Sequence, residues 1–359
     1  MRIAIVGAGL AGLATGAAFS RAGHDVQVFE QADGLRASGL AINLWSNATS
    51  LLPAFGIPAG RIPGEPFSRM VWRAGGREVT SMELPALGLP HVNVERAELL
   101  HALAAALPPD AITYGTRCTD VAALADGHDL VVIADGANSA LRAAVTPSPR
   151  RQWTWMIWQG TVTTELPEVP KGAGASVIRA GLFAGVWRLS GDEITWFAEQ
   201  PGRKPGEGKR LLQELKSDAD PVLRTLAQAT PEQEWIEWHA RDLWPSRTLH
   251  RGNVVLVGDA AHAMLPTLGQ GACQCLEDAA VLASAVASEG TLDGALRRYE
   301  VTRVPRVRRI TALARAGAVS RRSNAASRLM PPALNAKLTA LSGGPVLRRI
   351  TRPTITLPA

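Results

Sequence analysis

The first thirty residues leave this chain little choice of fold. Residues 2–6 form an apolar run, Gly7-Ala8-Gly9-Leu10-Ala11-Gly12 follows, and a helical pattern continues to residue 21. A second apolar run at 26–29 then ends in Glu30 and Gln31. In such a unit the first glycine makes a tight turn, the second lets backbone approach a pyrophosphate, and the third lets helix pack on strand. An acid at the end of the second strand can bond a ribose 2′-hydroxyl and would repel a 2′-phosphate. The glycine spacing alone is a weak signal. Between two strands and opening a helix, it predicts a Rossmann-type unit that holds FAD or NAD rather than NADP.

A second string points to the same kind of ligand. Residues 258–278 read GDAAHAMLPTLGQGACQCLED, after an apolar run at 254–257 that reads as a buried strand. Asp259, at that strand's end, can accept hydrogen bonds from a sugar-alcohol chain. Pro266, Gly269, Gln270, Gly271, Ala272 and Cys273 lead into a helix expected over 272–287. Glycines opening a helix let backbone N–H groups come close to a planar or anionic ligand. Between the two strings, residues 92–103 (VNVERAELLHAL) put Arg96 just before a helical pattern. Residues 129–142 (DLVVIADGANSALR) run from a strand into Asp135-Gly136 and then a helix start carrying Ser139 and Arg142.

In this order, from residue 1 to about 309, the motifs resemble those of the FAD-dependent aromatic hydroxylases with the para-hydroxybenzoate hydroxylase-like fold. Residues 296–306 (LRRYEVTRVPR) resemble the helix that follows the flavin domain in that family. Residues 39–47 (GLAINLWSN) and 153–160 (WTWMIWQG) bring the likeness nearest to the urate hydroxylase-like branch. The resemblance implies a mixed α/β (α+β) fold: a Rossmann-type FAD-binding domain, an antiparallel β-sheet substrate domain and C-terminal helices. It implies cofactor contacts at Gly7, Gly9, Leu10, Ala11, Gly12, Glu30, Gln31, Asn43, Arg96, Cys118, Asp135, Asp259, Pro266, Gly269, Gln270, Gly271, Ala272 and Cys273. Arg96 would face the flavin nucleotide's phosphates or ribitol. FAD would be tightly bound without a covalent link. NADH or NADPH would visit transiently, since the chain has one GxGxxG only. O2 would yield one oxygen atom to a small aromatic substrate through a flavin C4a-hydroperoxide.

No Ser/His/Asp or Cys/His arrangement supplies a side-chain catalyst. That suits chemistry carried by a cofactor, with the protein supplying orientation and water exclusion. His262 is expected to be a structural partner of its loop rather than a base.

Nucleotide motifs assign residues 1–60, 92–150 and 245–310 to a discontinuous FAD-binding domain. Residues 61–91 and 151–244 carry short alternating runs, such as 186–189 and 193–197 around Ser190-Gly191-Asp192, that read as antiparallel strands of a substrate domain lying over the flavin. A helical stretch is expected at 207–230. Residues 311–359 form a C-terminal helical tail, with separate helices near 311–318 and 333–341. Only nine residues separate Thr119 from Asp129, where relatives carry a longer β-meander.

Eight of the ten tryptophans fall between residues 153 and 244. Most should fill the core. Trp158, Trp187 and Trp196, with Met264 and Leu265 from the flavin loop, are expected to line the substrate pocket. Charged neighbours such as Arg188 and Glu199 should point outward. A pocket so lined favours an aromatic or polycyclic metabolite with little charge over a polyanion, because an unpaired buried charge is costly.

Composition closes other routes. Cys118, Cys273 and Cys275 have neither disulfide-framework nor metal-clasp spacing, so no metal is expected and the thiols read as free in a reducing cytoplasm. No membrane span is expected, since no run of 18 apolar residues exists. The net charge of +6 comes without a nucleic-acid motif. A monomer or homodimer is expected. Two other functions use the same cofactor motifs. One is a flavin-holding protein without turnover. The other is a flavin-dependent halogenase, which 153–158 (WTWMIW) almost spells; but Trp158 stands where that signature has Pro, and no lysine precedes Lys171.

Overall fold

A computed structural model of the chain describes residues 1–35, 41–84, 89–146, 150–179, 181–200, 202–323, 331, 333–334, 336–337, 346 and 349–351, without the side chains of 150–155 and 318–323. The resemblance at Gly39 and Leu40 and most of the expected 333–341 helix lie outside the described residues.

The Arg2–Val6 strand lies inside a six-stranded sheet. Its order is His250–Arg251, Val254–Leu256, Leu130–Ile133, Arg2–Val6, Asp25–Phe29 and Ile112–Thr113. The last five run parallel. Central strands of a parallel sheet are buried on both faces and need continuous apolar runs; Ile3–Val6 and Leu130–Ile133 are such runs, all buried. The Leu10–Arg21 and Gly271–Ser288 helices pack on each other beside this sheet. The first and last nucleotide motifs are thereby brought side by side.

The second sheet has seven strands, ordered Ile236–Leu243, Arg150–Thr163, Glu193–Glu199, Leu182–Ser190, Ala173–Arg179, Arg69–Ala74 and Arg77–Glu83. Its neighbours are antiparallel except 69–74 with 173–179. The expected hairpin is present, and Gly191 (φ 53°) turns it. One face of this sheet packs on the Gly208–Leu215 and Pro221–Ala229 helices. The other face looks toward the first sheet and the 265–268 loop. A small sheet of Ala41–Leu44, His91–Glu95 and Glu65–Phe67 joins the two.

Two element expectations are corrected, and the short 119–129 connection is defined. The stretch 207–230 is two helices, because Asp220 caps a new one by accepting the Val222 N–H and Pro221 sits at its first position. The 119–129 connection is a short helix, Val121–Gly127, capped by Asp120. The helix expected near 311–318 is continuous with the preceding one, in a single span Leu292–Ser323 that runs through Pro305. A proline inside a helix frees the carbonyl four residues back. Here that is the carbonyl of Val301, which is 74% exposed, so water can satisfy it.

Candidate active site

The glycine motif, the Asp-Gly motif and the Gly-Asp motif meet. Gly7 has φ 107°, and a Cβ there would lie 2.6 Å from the Ala134 carbonyl oxygen. A Cβ on Gly258 would lie 2.6 Å from that of Ala11. Only glycine fits at either crossing. At Gly9 and Gly136, by contrast, a Cβ would meet nothing, so the backbone there borders open space. Gly9 precedes the Leu10–Arg21 helix without a side-chain cap, leaving first-turn N–H groups for a ligand.

Glu30 closes this turn. Its carboxylate accepts the Ala8 N–H at 2.8 Å and the Ala32 N–H at 2.9 Å. Gln31 is exposed just beyond it. The Ile112–Thr113 strand leads past Glu30, and Cys118 lies half-buried in the coil five residues further on.

Asp259 is solvent-accessible, yet protein crowds its carboxyl. Desolvation there raises its carboxyl above the ordinary range, against the pull of His262 and Arg96. Arg96, the first residue of the Arg96–Ala104 helix, is half-buried. Asp135 is likewise raised by burial, opposed by a hydrogen bond from Ser139, and its Oδ1 is buried without a partner. A buried carboxylate oxygen held unpaired beside open backbone suits a ligand rich in hydroxyls and phosphates, and these residues fit FAD. Arg142 binds the site together from behind, donating to the Ala260 carbonyl at 2.6 Å and the Ala137 carbonyl at 3.2 Å.

The loop expected at the flavin consists of Met264, Leu265, a 3-10 turn over Pro266–Leu268, and Gly269 at φ 60°. Gly271 and Ala272 open the following helix, half-exposed. Three neighbouring side chains turn inward. Cys273 is buried, accepts the Trp45 N–H at 3.4 Å, and burial pushes its thiol up to about 12. Gln270 is fully buried and bonds Asn47 and Gln274. Asn43 reaches Asn93 at 3.2 Å.

Behind the loop lies a buried charged network that the sequence reading missed. Asp278 accepts from the Gly258 N–H (2.7 Å), from His262 Nε2 (2.6 Å) and from Arg303 Nε (2.6 Å). Glu277 accepts from Arg303, Arg306 and Asn47. Arg303 also donates to the Gln274 side chain at 2.7 Å. Burial would raise Asp278, but the charges of His262 and Arg303 outweigh it and hold the carboxyl at about 2. His262 is therefore a tie between the Gly-Asp turn and the helix behind it. A signal was present: Glu277-Asp278 are adjacent, and Arg303 and Arg306 are three apart, on one helix face.

The pocket expectation needs correction at two tryptophans. Trp158 and Trp196 are fully buried on the far face of the seven-stranded sheet, among the leucines of the 208–215 and 221–229 helices. Their indole N–H groups bond Glu237 (2.8 Å) and Thr230 (2.9 Å), and Trp196 lies 4.4 Å from the Trp235 ring. The face toward the loop carries their strand neighbours. Register aligns Trp238, Ile157, Glu199 and Phe183 in one row, and Gln159, Phe197 and Gly185 in the next. Ile157, Phe197, Trp238 and Ala240 pack with Leu265, Leu268 and Ala314. Trp187 is on this face, stacked on Phe197 at 5.7 Å. Arg188 and Glu199 do not point outward. Both are buried, and Arg188 donates to the Leu166 and Val169 carbonyls on the far side.

Among the described residues no helix is long and apolar enough to cross a membrane, and no cluster of His, Cys, Asp and Glu could hold a metal. The three cysteines are free.

Known proteins share this architecture. Residues 127–314 match the FAD binding domain family, and residues 5–42 match the NAD(P)-binding Rossmann-like domain. An FAD-dependent urate hydroxylase of Klebsiella pneumoniae is 30% identical, over 88% of this chain and 89% of that protein. A 3-amino-4-hydroxybenzoate 2-monooxygenase of Streptomyces platensis is 32% identical, over 86% and 85%. An aurachin C monooxygenase/isomerase of Stigmatella aurantiaca is 30% identical, over 85% and 86%. The crystal structure of Klebsiella pneumoniae HpxO with FAD and uric acid superposes at a TM-score of 0.86 with 26% identity, covering 98% of this chain and 96% of that one.

Proposed function

This chain belongs to the FAD-dependent aromatic hydroxylases, in their urate hydroxylase-like branch, and on that footing we propose that it uses NADH or NADPH and O2 to hydroxylate or epoxidise a small, mostly apolar aromatic or polycyclic metabolite. The family membership makes it an FAD-dependent monooxygenase; the reductant and the substrate class are our reading.

Bound FAD supplies the oxygen-activating chemistry, and the residues of the chain bind, orient and shield. We assign the pyrophosphate to the Gly7–Gly12 turn, the ribose to Glu30, and the ribityl and phosphate region to Arg96, Asp135 and Asp259. Gln31, Asn43, Cys118 and the 266–273 loop complete the shell. The loop's backbone would face the ring, and the start of the Gly271–Ser288 helix would favour negative charge there. The division into a discontinuous FAD domain and a β-sheet substrate domain belongs to the same proposal.

One observation carries the substrate reading. The sheet face bearing Ile157, Phe197 and Trp238 packs on Leu265 and Leu268 of the flavin loop. An apolar ring bound against the rim of this layer would be matched in polarity and shielded from water at the reacting centre. Glu199 in the same row offers no attraction to a substrate carboxylate, so urate-like or carboxylated compounds rank second. The test is a panel of aromatics screened for stimulated NAD(P)H oxidation, with the product heavier by one oxygen atom. If no aromatic stimulates oxidation and FAD is nonetheless bound, the chain is a flavin holder and this reading is wrong.

A further inference from the structure

We infer that the cationic surface around Trp244 is where the nicotinamide dinucleotide docks; the inference rests on the reading above that NADH or NADPH is the reductant. The charge of the chain is segregated. Residues 301–359 contain twelve Lys and Arg and no Asp or Glu, while the first 300 residues hold 26 basic and 32 acidic side chains. Arg303 and Arg306 are spent inside, on Glu277 and Asp278.

Arg308 and Arg315 are used differently. They lie seven residues apart on the Leu292–Ser323 helix, hence on one face of it. Their guanidinium carbons stand 5.0 and 4.6 Å from the centre of the Trp244 ring, and Trp244 is 39% exposed. Arg308 gives one N–H to the Pro245 carbonyl at 2.7 Å, and Arg315 gives one to Asp242 at 2.5 Å. A guanidinium has five N–H donors, so each keeps others for an outside acceptor. Both are already held by the indole and by one anchor, so little side-chain freedom remains to be lost on binding. Arg247 and Arg309, both exposed, adjoin them in sequence.

The place is right for a reductant. Thr267 of the flavin loop donates to the Ala314 carbonyl at 2.9 Å, one residue from Arg315. The Leu243 N–H, beside Trp244, bonds the Ala263 carbonyl at 2.7 Å. The cationic pair therefore abuts the segment 263–268, which we place at the flavin. The chain's one dinucleotide fingerprint is taken by FAD, so a second dinucleotide must find its phosphate contacts elsewhere. A fixed pair of guanidiniums suits a pyrophosphate, by bidentate charge-assisted bonds.

The experiment measures flavin reduction in the FAD-loaded protein against NADH and NADPH concentration, at two ionic strengths. Arg308→Gln and Arg315→Lys should each raise the half-saturating concentration of the preferred reductant about fivefold or more. Arg315→Lys keeps a charge for Asp242 and so guards against loss of fold. FAD content and half-saturation by the aromatic substrate should not move. Added salt should weaken reductant binding in the wild type and less in the variants. Arg77→Gln, an exposed arginine on the far edge strand, should change nothing. Unchanged half-saturation in both variants, or an equal rise in Arg77→Gln, overturns the docking site while leaving the monooxygenase reading intact. A wild-type flavin that neither nucleotide reduces, even with a stimulating aromatic bound, overturns both the docking site and the reading of NADH or NADPH as reductant.

Discussion

At the residue scale, Trp196 and Phe197 show what a single strand cannot reveal. Side chains alternate between the faces of a strand, so one of these neighbours faces the flavin side and the other the opposite core. Both are large aromatics, and alternation within 193–199 does not say which is which. Cross-strand register and the helices covering the far face decide it. The two should fail differently when truncated. Trp196→Ala leaves a cavity among packed leucines and takes from Thr230 one of its two hydrogen bonds, keeping the one to the Leu226 carbonyl, and should cost about 3–5 kcal/mol of stability with little effect on coupling. Phe197→Ala, at a half-buried ring, should lower the thermal midpoint less than Trp196→Ala does, raise KM for the aromatic and uncouple NAD(P)H oxidation from oxygen transfer. Thermal melts with product-to-NAD(P)H ratios separate the two, and a coupled Phe197→Ala enzyme would refute the assignment of the pocket face. Glu30 was legible, because the glycine turn and the strand end fix its place. Its second duty was not: it also holds the Ala8 and Ala32 N–H groups. Glu30→Ala should therefore weaken FAD binding roughly tenfold or more, and by more than Asp259→Ala, since it loosens the turn as well as removing a charge-assisted bond. Fluorescence titration of the apoprotein with FAD checks the order.

At the element scale, strands and helices bounded by turn chemistry were readable, including the 190–192 hairpin and the helix after Gly271. The Leu292–Ser323 helix was not, because Pro305 reads locally as a stop. Tertiary packing overrides it: Arg303 and Val307 are buried on the inner face, and Pro305 sits on the outer one. Arg303 is the anchor of this helix, and removing it leaves Glu277 and Asp278 buried with less compensation. Arg303→Ala should cost about 3–5 kcal/mol. Asp278 makes the same network sensitive to acid. Its carboxyl is lowered from 3.8 to about 2, so its contribution is complete above about pH 4 and is lost as pH falls toward 2. That contribution is about 2 kcal/mol. Urea unfolding between pH 5 and 2 should show a stability loss that is smaller in Asp278→Asn, which starts out less stable. An identical acid slope in the variant would remove Asp278 from the account.

At the scale of the whole molecule, the FAD site we propose draws on segments scattered along the chain: Gly7–Glu30, Arg96, Asp135 and Asp259–Ala272. No single segment can hold the cofactor. The interlocking contacts of Gly7 with Ala134 and of Gly258 with Ala11 require all of them to be in place. The seven-stranded sheet is joined to this assembly on three sides: through the Asn93 bond to the Arg188 carbonyl, through the Leu243 bond to Ala263, and through the apolar layer under Leu265. Unfolding one part should then expose surface on the other, and the chain should melt as one unit. FAD binds only the assembled site, so at a hundredfold excess over its Kd it should add about 2.7 kcal/mol, and it should shift the entire transition upward. Calorimetry of apoprotein and holoprotein reads this directly. One peak that moves as a whole with FAD is the expected outcome. Two peaks, of which only one responds, would mean that the β-sheet region folds independently, and that its contacts with the flavin loop are too weak to position a substrate.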